Sequence, residues 1–182
     1  MRIRSLPSTA ATLLLALLFI ASPARGGELI ELTGVHLCCN RCVTDLRAAL
    51  ADVKGIDKLD VNRREGRASF VAQDDEAIEQ ALEALAAAGY YGTAKRGDEP
   101  IEFAKQEIEE GAAADRVVLE GVHLCCGGCA KAVVQAYAGA DDVVAVDCDL
   151  EDGIVTLTGK KLAVTKMIEL LHEAGFHGRW VP

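Results

Sequence analysis

The sequence predicts an α+β protein built from two tandem copies of a β-α-β-β-α-β unit. The first observation is an internal repeat: Gly-Val-His-Leu-Cys-Cys occurs at residues 34–39 and again at 121–126, and a third cysteine follows at 42 and at 129. The second is that apolar residues around both copies follow strand and helix periods in the same order. In a chain of 182 residues, this repeat favours two small domains.

The predicted elements of the first copy run from residue 28 to residue 95. Ile30 and Leu32 mark a first strand, and a helix of about three turns starts close to Cys42. Strands around 59–61 and 68–70 form a hairpin, a second helix starts at 74–76, and a last short strand covers 90–95. The second copy repeats this order, which is that of ferredoxin-like folds: four antiparallel strands covered on one face by two helices.

The N-terminus has the pattern of an export signal. Arg2 and Arg4 precede an apolar run at 10–21, and small residues follow at 22–27. The run is short for a bilayer span, which needs about 20 residues, although an uncleaved anchor stays an alternative. The predicted organisation is a signal peptide at 1–26, domains at 27–95 and 116–182, and an acidic linker at 96–115 with a helical turn between 101 and 110. The predicted location is secreted or periplasmic.

The charge of the chain argues against one class of partner. The formal net charge is −9, whereas binding to nucleic acid needs clustered Lys and Arg. Only 4% of the residues are aromatic, so both cores must consist mainly of Ala, Val, Leu and Ile. Neither a nucleic-acid partner nor an enzyme substrate is expected.

The chemistry of the chain concentrates in the two cysteine loops, which hold six of its seven cysteines. The Cys-x-x-Cys pairs are Cys39 with Cys42 and Cys126 with Cys129. Each pair stands where a helix begins, and a helix N-terminus lowers the pKa of a thiol by stabilising the thiolate. Thiolates bind soft ions, so Cu(I) is the favoured ion, with Hg(II), Zn(II) and Cd(II) as alternatives.

A Cys-x-x-Cys pair between the first strand and first helix of such a unit resembles the heavy-metal-associated domain family, here in two tandem copies. That family includes copper chaperones, N-terminal modules of copper- and zinc-pumping ATPases, and the periplasmic mercury-binding protein. Its usual loop is Gly-Met-Thr-Cys-x-x-Cys, so Leu37 and Leu124 take the place of the buried Met. The resemblance implies four metal ligands: Cys39, Cys42, Cys126 and Cys129. It also implies that two aromatic residues, Tyr90 and Phe176, lie near the metal loops.

Two features depart from the usual loop. His36 and His123 replace a glycine, as groups beside the site or as surface loop residues. Cys38 and Cys125 add a third sulfur, which suits three-coordinate Hg(II), a cluster of several Cu(I) ions, or a redox partner. Alternatively, these two thiols face the core as small apolar groups, because adjacent residues in an extended segment point to opposite sides.

Three cysteine and histidine residues outside the loops are not expected to belong to the metal site. Cys148 alternates with apolar residues and is expected in the core. His172 and His177 have no counterpart in the first copy, so both are expected to be solvated.

The leading functional hypothesis is a non-enzymatic extracytoplasmic protein with one soft-metal site per domain, acting as a carrier, chaperone or scavenger. Its partner would be a metal-transporting membrane protein or another acceptor bearing thiolates. One alternative is a thiol-disulfide redox protein, although the four prolines, at 7, 23, 100 and 182, leave none to face the dithiol as in thioredoxin-like folds. Another is an interaction module held by disulfides, or by one zinc ion shared between Cys39, Cys42, Cys126 and Cys129.

Overall fold

The computed structural model describes residues 26–103 and 105–182, and everything below concerns these residues. The N-terminal unit contains five strands and two helices: β1 (Glu28–Thr33), α1 (Asn40–Leu50), β2 (Ile56–Asn62), β3 (Arg67–Ala72), α2 (Asp75–Ala87), β4 (Thr93–Arg96) and β5 (Glu99–Ile101). Its strands form an antiparallel sheet in the order β2-β3-β1-β4-β5.

The C-terminal unit contains four strands and two helices: β6 (Ala113–Glu120), α3 (Gly127–Ala136), β7 (Val143–Asp149), β8 (Ile154–Ala163), α4 (Val164–Glu173) and β9 (Arg179–Val181). Its sheet is antiparallel, in the order β7-β8-β6-β9. In both units the first strand lies between the third and the fourth, as the β-α-β-β-α-β order requires. The predicted fold class, two tandem ferredoxin-like units, is confirmed.

An aliphatic core accounts for the elements of each unit. In β1, Ile30 and Leu32 are 0% and 1% exposed, whereas Leu29, which lies on the opposite face of the strand, is 52% exposed. Leu46 and Leu50, one turn apart on α1, belong to the same buried cluster. Full burial of each such side chain contributes about 1.5–3 kcal/mol. The strand and helix periods of the sequence therefore determine which face of each element turns inward.

The segment between the units is packed rather than free. β5 pairs with β4 and so extends the first sheet into the segment predicted as linker. Phe103 is buried, and its ring lies 4.8 Å from that of Tyr91. Gln106 exchanges two hydrogen bonds with the backbone of Trp180 in β9, at 2.8 and 2.9 Å. The helical turn predicted between 101 and 110 does not form in the described part of this segment, where β-pairing and these contacts use its backbone and side chains instead.

The two units meet through the turns that follow their second helices. The backbone N–H of His36 donates to the carbonyl oxygen of Gly175 at 3.2 Å, and that of His177 donates to Gly89 at 2.9 Å. Gly89 and Gly175 have φ of +81° and +84°, a region that favours glycine. A Cβ on Gly175 would lie 2.5 Å from the backbone nitrogen of His36. Only glycine lets each turn reach the cysteine loop of the other unit.

The predicted signal peptide falls on residues 1–25 and Gly26, so nearly all of it lies outside the described residues. Among the residues that the structure describes, no helix has both the length and the hydropathy needed to span a bilayer.

Candidate metal centre

Each cysteine loop connects the first strand of its unit to the first helix. Cys39 and Cys126 are the N-cap residues of α1 and α3, with extended backbone and without a side-chain cap hydrogen bond. Cys42 and Cys129 lie in the first turn of these helices and are 0% exposed. The first N–H groups of a helix have no partner within it, and they carry about half a positive charge. The predicted placement of the cysteines at helix N-termini is therefore found in both units.

The sulfurs of the two loops form one cluster instead of two. The Sγ of Cys38 lies 3.6 Å from that of Cys126 and 3.5 Å from that of Cys129. In the opposite direction, the Sγ of Cys125 lies 3.6 Å from that of Cys39 and 3.5 Å from that of Cys42. One soft-metal site per domain is thus not what the structure shows. The docking of the units by the turns at Gly89 and Gly175 brings all six sulfurs together.

We call these six residues the six-cysteine cluster: Cys38, Cys39, Cys42, Cys125, Cys126 and Cys129. Within the first loop, the Sγ of Cys42 is 3.6 Å from that of Cys38 and 3.7 Å from that of Cys39. Within the second, the Sγ atoms of Cys125 and Cys129 are 3.6 Å apart. The arrangement follows an approximate twofold relation that exchanges the equivalent positions of the two loops.

Two groups of four sulfurs in the cluster have the spacing of a metal site, with all members of a group within 4.8 Å of one another. One group consists of Cys38, Cys39, Cys125 and Cys126, and the other of Cys38, Cys42, Cys125 and Cys129. The shared four-thiolate site considered from the sequence, Cys39 with Cys42, Cys126 and Cys129, is neither of them. Cys38 and Cys125 each have three sulfur neighbours in the cluster and also pack against the edge of the core, so they are not isolated apolar groups.

The sulfur spacing suits thiolate coordination of a metal ion. A tetrahedral ion with bonds of about 2.3 Å to sulfur places its ligands about 3.8 Å apart. The nearest sulfur pairs within these two groups of four are 3.5–3.6 Å apart, and all pairs of a group are within 4.8 Å, so the sulfurs lie close to the positions that one ion would require. All seven cysteines are free thiols, and a disulfide would need sulfurs about 2.05 Å apart. The donor set fits soft ions such as Cu(I), Hg(II), Cd(II) and Zn(II).

The protonation of the cluster is uneven. Hydrogen bonds from the backbone N–H groups of Cys129 and Gly128 lower the pKa of Cys126 to about 7. Interaction with Cys129 lowers the pKa of Cys42, and the same interaction raises the pKa of Cys129. Burial raises the pKa of Cys38 to about 12. Neighbouring thiolates repel one another, and a cation that replaces the remaining protons would relieve that repulsion.

A histidine of each loop stacks on an aromatic ring of the other unit. The rings of His36 and Phe176 are 4.2 Å apart, and those of Tyr90 and His123 are 4.4 Å apart. The Tyr90 hydroxyl donates to the carbonyl oxygen of Cys42 at 2.8 Å and lies 3.0 Å from Nε2 of His123. Burial lowers the pKa of His36, which favours the neutral ring. All four residues lie beside the cluster, and the two histidines belong to the contact between units rather than to a solvated loop.

Several contributors were absent from the sequence predictions. Gly89 and Gly175 hold the units together, and the Arg63 guanidinium donates to the carbonyl oxygen of Cys38 at 3.2 Å. The repeat carried a signal for the two glycines, because Gly89 and Gly175 occupy equivalent positions in the two copies. No sequence pattern marked Arg63, which comes from the β2–β3 turn.

Of the three residues outside the loops, the structure agrees with the prediction for Cys148 and corrects those for His172 and His177. Cys148 packs against the core from β7, as predicted, and stands apart from the cluster. His172 and His177 are half-buried rather than fully solvated: the His172 ring stacks 3.8 Å from that of Tyr91 and 5.4 Å from that of His177. Burial lowers the pKa of both histidines, that of His172 to about 4.

No protein-family model matches the chain. Among solved structures, it is similar to the N-terminal soluble domains of Bacillus subtilis CopA, with 16% identity over 85% of this chain and 93% of that chain, at a TM-score of 0.31. It is also similar to the RNA recognition domains 1 and 2 of Drosophila melanogaster Sex-lethal, with 12% identity over 85% of this chain and 99% of that chain, at a TM-score of 0.27. Neither TM-score supports a conclusion about function. The conclusions below therefore rest on the geometry of this chain.

Proposed function

We propose that the protein binds soft metal ions at the six-cysteine cluster. The observation that carries the proposal is the convergence of six free thiols from two loops, with nearest sulfurs 3.5–3.7 Å apart. Thiolate sulfur selects Cu(I), Hg(II), Cd(II) and Zn(II) over hard ions such as Mg(II) or Ca(II), which prefer oxygen ligands. Cu(I) is the favoured ion, since it combines a preference for sulfur with low coordination numbers.

The proposed role is that of a non-enzymatic carrier, chaperone or scavenger outside the cytosol. The signal-like sequence of the N-terminus supports this proposed extracytoplasmic location. Transfer would occur by thiolate exchange: an acceptor thiolate binds the ion before a cluster thiolate leaves. Cys38, Cys39, Cys125 and Cys126 are only half-buried, which leaves an approach for such an acceptor. The proposed partner is a metal-transporting membrane protein or another thiolate-bearing acceptor.

Anaerobic titration of the reduced protein, followed by native mass spectrometry, tests this function. Cu(I), Cd(II), Zn(II) and Hg(II) are added separately, and the bound ions per chain are counted. The double variant Cys39→Ser/Cys42→Ser is expected to lose bound metal, whereas Cys148→Ser, which changes the cysteine outside the cluster, is expected to bind as the parent does. A reduced protein that takes up none of the four ions would exclude the proposal and favour the redox or interaction-module alternatives.

A further inference from the structure

The number of sulfurs in the six-cysteine cluster exceeds what a single ion uses. Structural zinc sites take four ligands, and soft ions such as Cu(I) take fewer. A single four-coordinate ion would leave two of the six thiols idle in the middle of the contact between units. The two groups of four overlap, and Cys38 and Cys125 are the residues that they share.

The sulfurs of these shared residues each have three close sulfur neighbours, as does that of Cys42, but only Cys38 and Cys125 belong to both groups. The Sγ of Cys38 has three sulfur neighbours, those of Cys42, Cys126 and Cys129, at 3.6, 3.6 and 3.5 Å. The Sγ of Cys125 also has three, those of Cys39, Cys42 and Cys129, at 3.6, 3.5 and 3.6 Å. Each shared sulfur thus has neighbours from both groups of four, which is the position of a thiolate that bridges two ions.

Positive groups near Cys38 would stabilise the negative charge of several thiolates in the cluster. Arg63 brings a guanidinium to the Cys38 backbone, with Nη1 3.2 Å from the carbonyl oxygen. Gly128 lies directly beside the sulfurs: a Cβ there would be in van der Waals contact, 3.4 Å from Sγ of Cys126 and 3.5 Å from Sγ of Cys38. The N-termini of α1 and α3 supply two further regions of positive potential.

We propose that the cluster holds two soft metal ions, with Cys38 and Cys125 as bridging thiolates. One ion takes Cys39 and Cys126 as its remaining ligands, and the other takes Cys42 and Cys129. This inference rests on the proposed metal-binding function and adds the number of ions and the role of each sulfur. For two divalent ions, each thiol releases its proton to solvent, each bridging sulfur uses two lone pairs, and six thiolates with two ions leave a net charge of −2.

Cadmium is the probe of choice, because it binds thiolates and is visible by NMR. The reduced full chain is titrated anaerobically with Cd(II), and native mass spectrometry is expected to show two ions per chain. One-dimensional ¹¹³Cd NMR of the loaded protein is expected to show two resonances that are coupled to each other through the shared sulfurs. Binding that saturates at one Cd(II) per chain would overturn the binuclear site but leave the proposed function standing. Zero bound ions would remove both.

A pair of variants tests the bridging role itself. Cys38→Ser/Cys125→Ser is expected to bind fewer than two Cd(II) per chain, because each proposed ion then loses both bridging sulfurs and keeps only two of its four ligands. Cys148→Ser is the matched control and is expected to keep two. If the double variant still bound two ions with a ¹¹³Cd–¹¹³Cd coupling, the bridging assignment would be wrong. Circular dichroism of the metal-free variants tests whether the fold is retained.

Discussion

Substitution of Gly175 by alanine is the sharpest perturbation of the contact between the units. A Cβ at this position would lie 2.5 Å from the backbone nitrogen of His36, so the C-terminal turn must move away from the first cysteine loop. That movement breaks two hydrogen bonds to the Gly175 carbonyl oxygen, from the N–H of His36 at 3.2 Å and that of Tyr91 at 3.3 Å. The sulfurs of the two loops should separate as a result.

The magnitude can be isolated with Gly97→Ala as a control. Gly97 also has a positive φ, +58°, but no atom lies within 4 Å of a Cβ built there. Both variants incur the cost of a left-handed alanine, about 1–2 kcal/mol. Gly175→Ala also loses two hydrogen bonds, worth about 0.5–1.5 kcal/mol each. It should therefore be less stable than Gly97→Ala by about 1–3 kcal/mol, which corresponds to a Tm lower by roughly 2–12 °C.

Two measurements complete this test. Thermal unfolding of the metal-free proteins, followed by circular dichroism, gives the difference in Tm. Titration with Cd(II) then reports the number of ions per chain, which should fall for Gly175→Ala and stay at the parental number for Gly97→Ala. Equal Tm values and equal metal content in the two variants would show that the turn at Gly175 does not hold the loops together.

Four further outcomes are expected. Tyr90→Phe removes a hydroxyl with two hydrogen bonds and should lower the free energy of unfolding in urea by about 1–3 kcal/mol; an unchanged midpoint would contradict those bonds. Phe103→Ala removes a buried aromatic ring and should lower the free energy of unfolding by about 3 kcal/mol. Val144→Ala, at a residue 77% exposed, should change it by no more than about 0.5 kcal/mol. Similar losses in both variants would show that the segment between the units does not pack. The pKa of His172 falls from 6.5 to about 4 on folding, so protonation favours the unfolded chain and stability should decline as the pH drops from 6.5 to 4. His172→Gln should make that decline shallower. An equally steep decline in the variant would show that burial of His172 does not cause it. Cd(II) at a hundredfold its Kd should add about 2.7 kcal/mol per bound ion to the free energy of unfolding of the reduced protein, and an unshifted Tm would mean that the unfolded chain binds it as well.

A site shared between two units would join metal loading to their docking. The ligands of each proposed ion come from both loops, so an ion can be fully coordinated only while the units remain in contact. Release to an acceptor would begin at the half-buried sulfurs and proceed as the units separate. The stacked pairs His36–Phe176 and Tyr90–His123 belong to the same contact between the units.

The fold was predictable because its determinants are local. Ile30 and Leu32 alternate in a strand, Leu46 and Leu50 recur at a helical interval, and both patterns place apolar atoms on one face whatever the neighbouring unit does. The two copies of the repeat show the same order of strand and helix periods, and this agreement supports the prediction. The inter-unit segment was harder, because Phe103 and Gln106 obtain their partners from Tyr91 and Trp180, and short-range periodicity does not contain those contacts.

The sequence alone determined that six thiols would lie in two loops, each at the start of a helix, since spacing and periodicity act over a few residues. Only the tertiary structure decided that these loops face each other and that Cys38 and Cys125 belong to both groups of four sulfurs. The physical reason is that docking depends on close backbone approach at Gly89 and Gly175, where the absence of a Cβ matters only in the presence of the opposite loop. Local sequence encodes the ligands, and the contact between the units encodes the site.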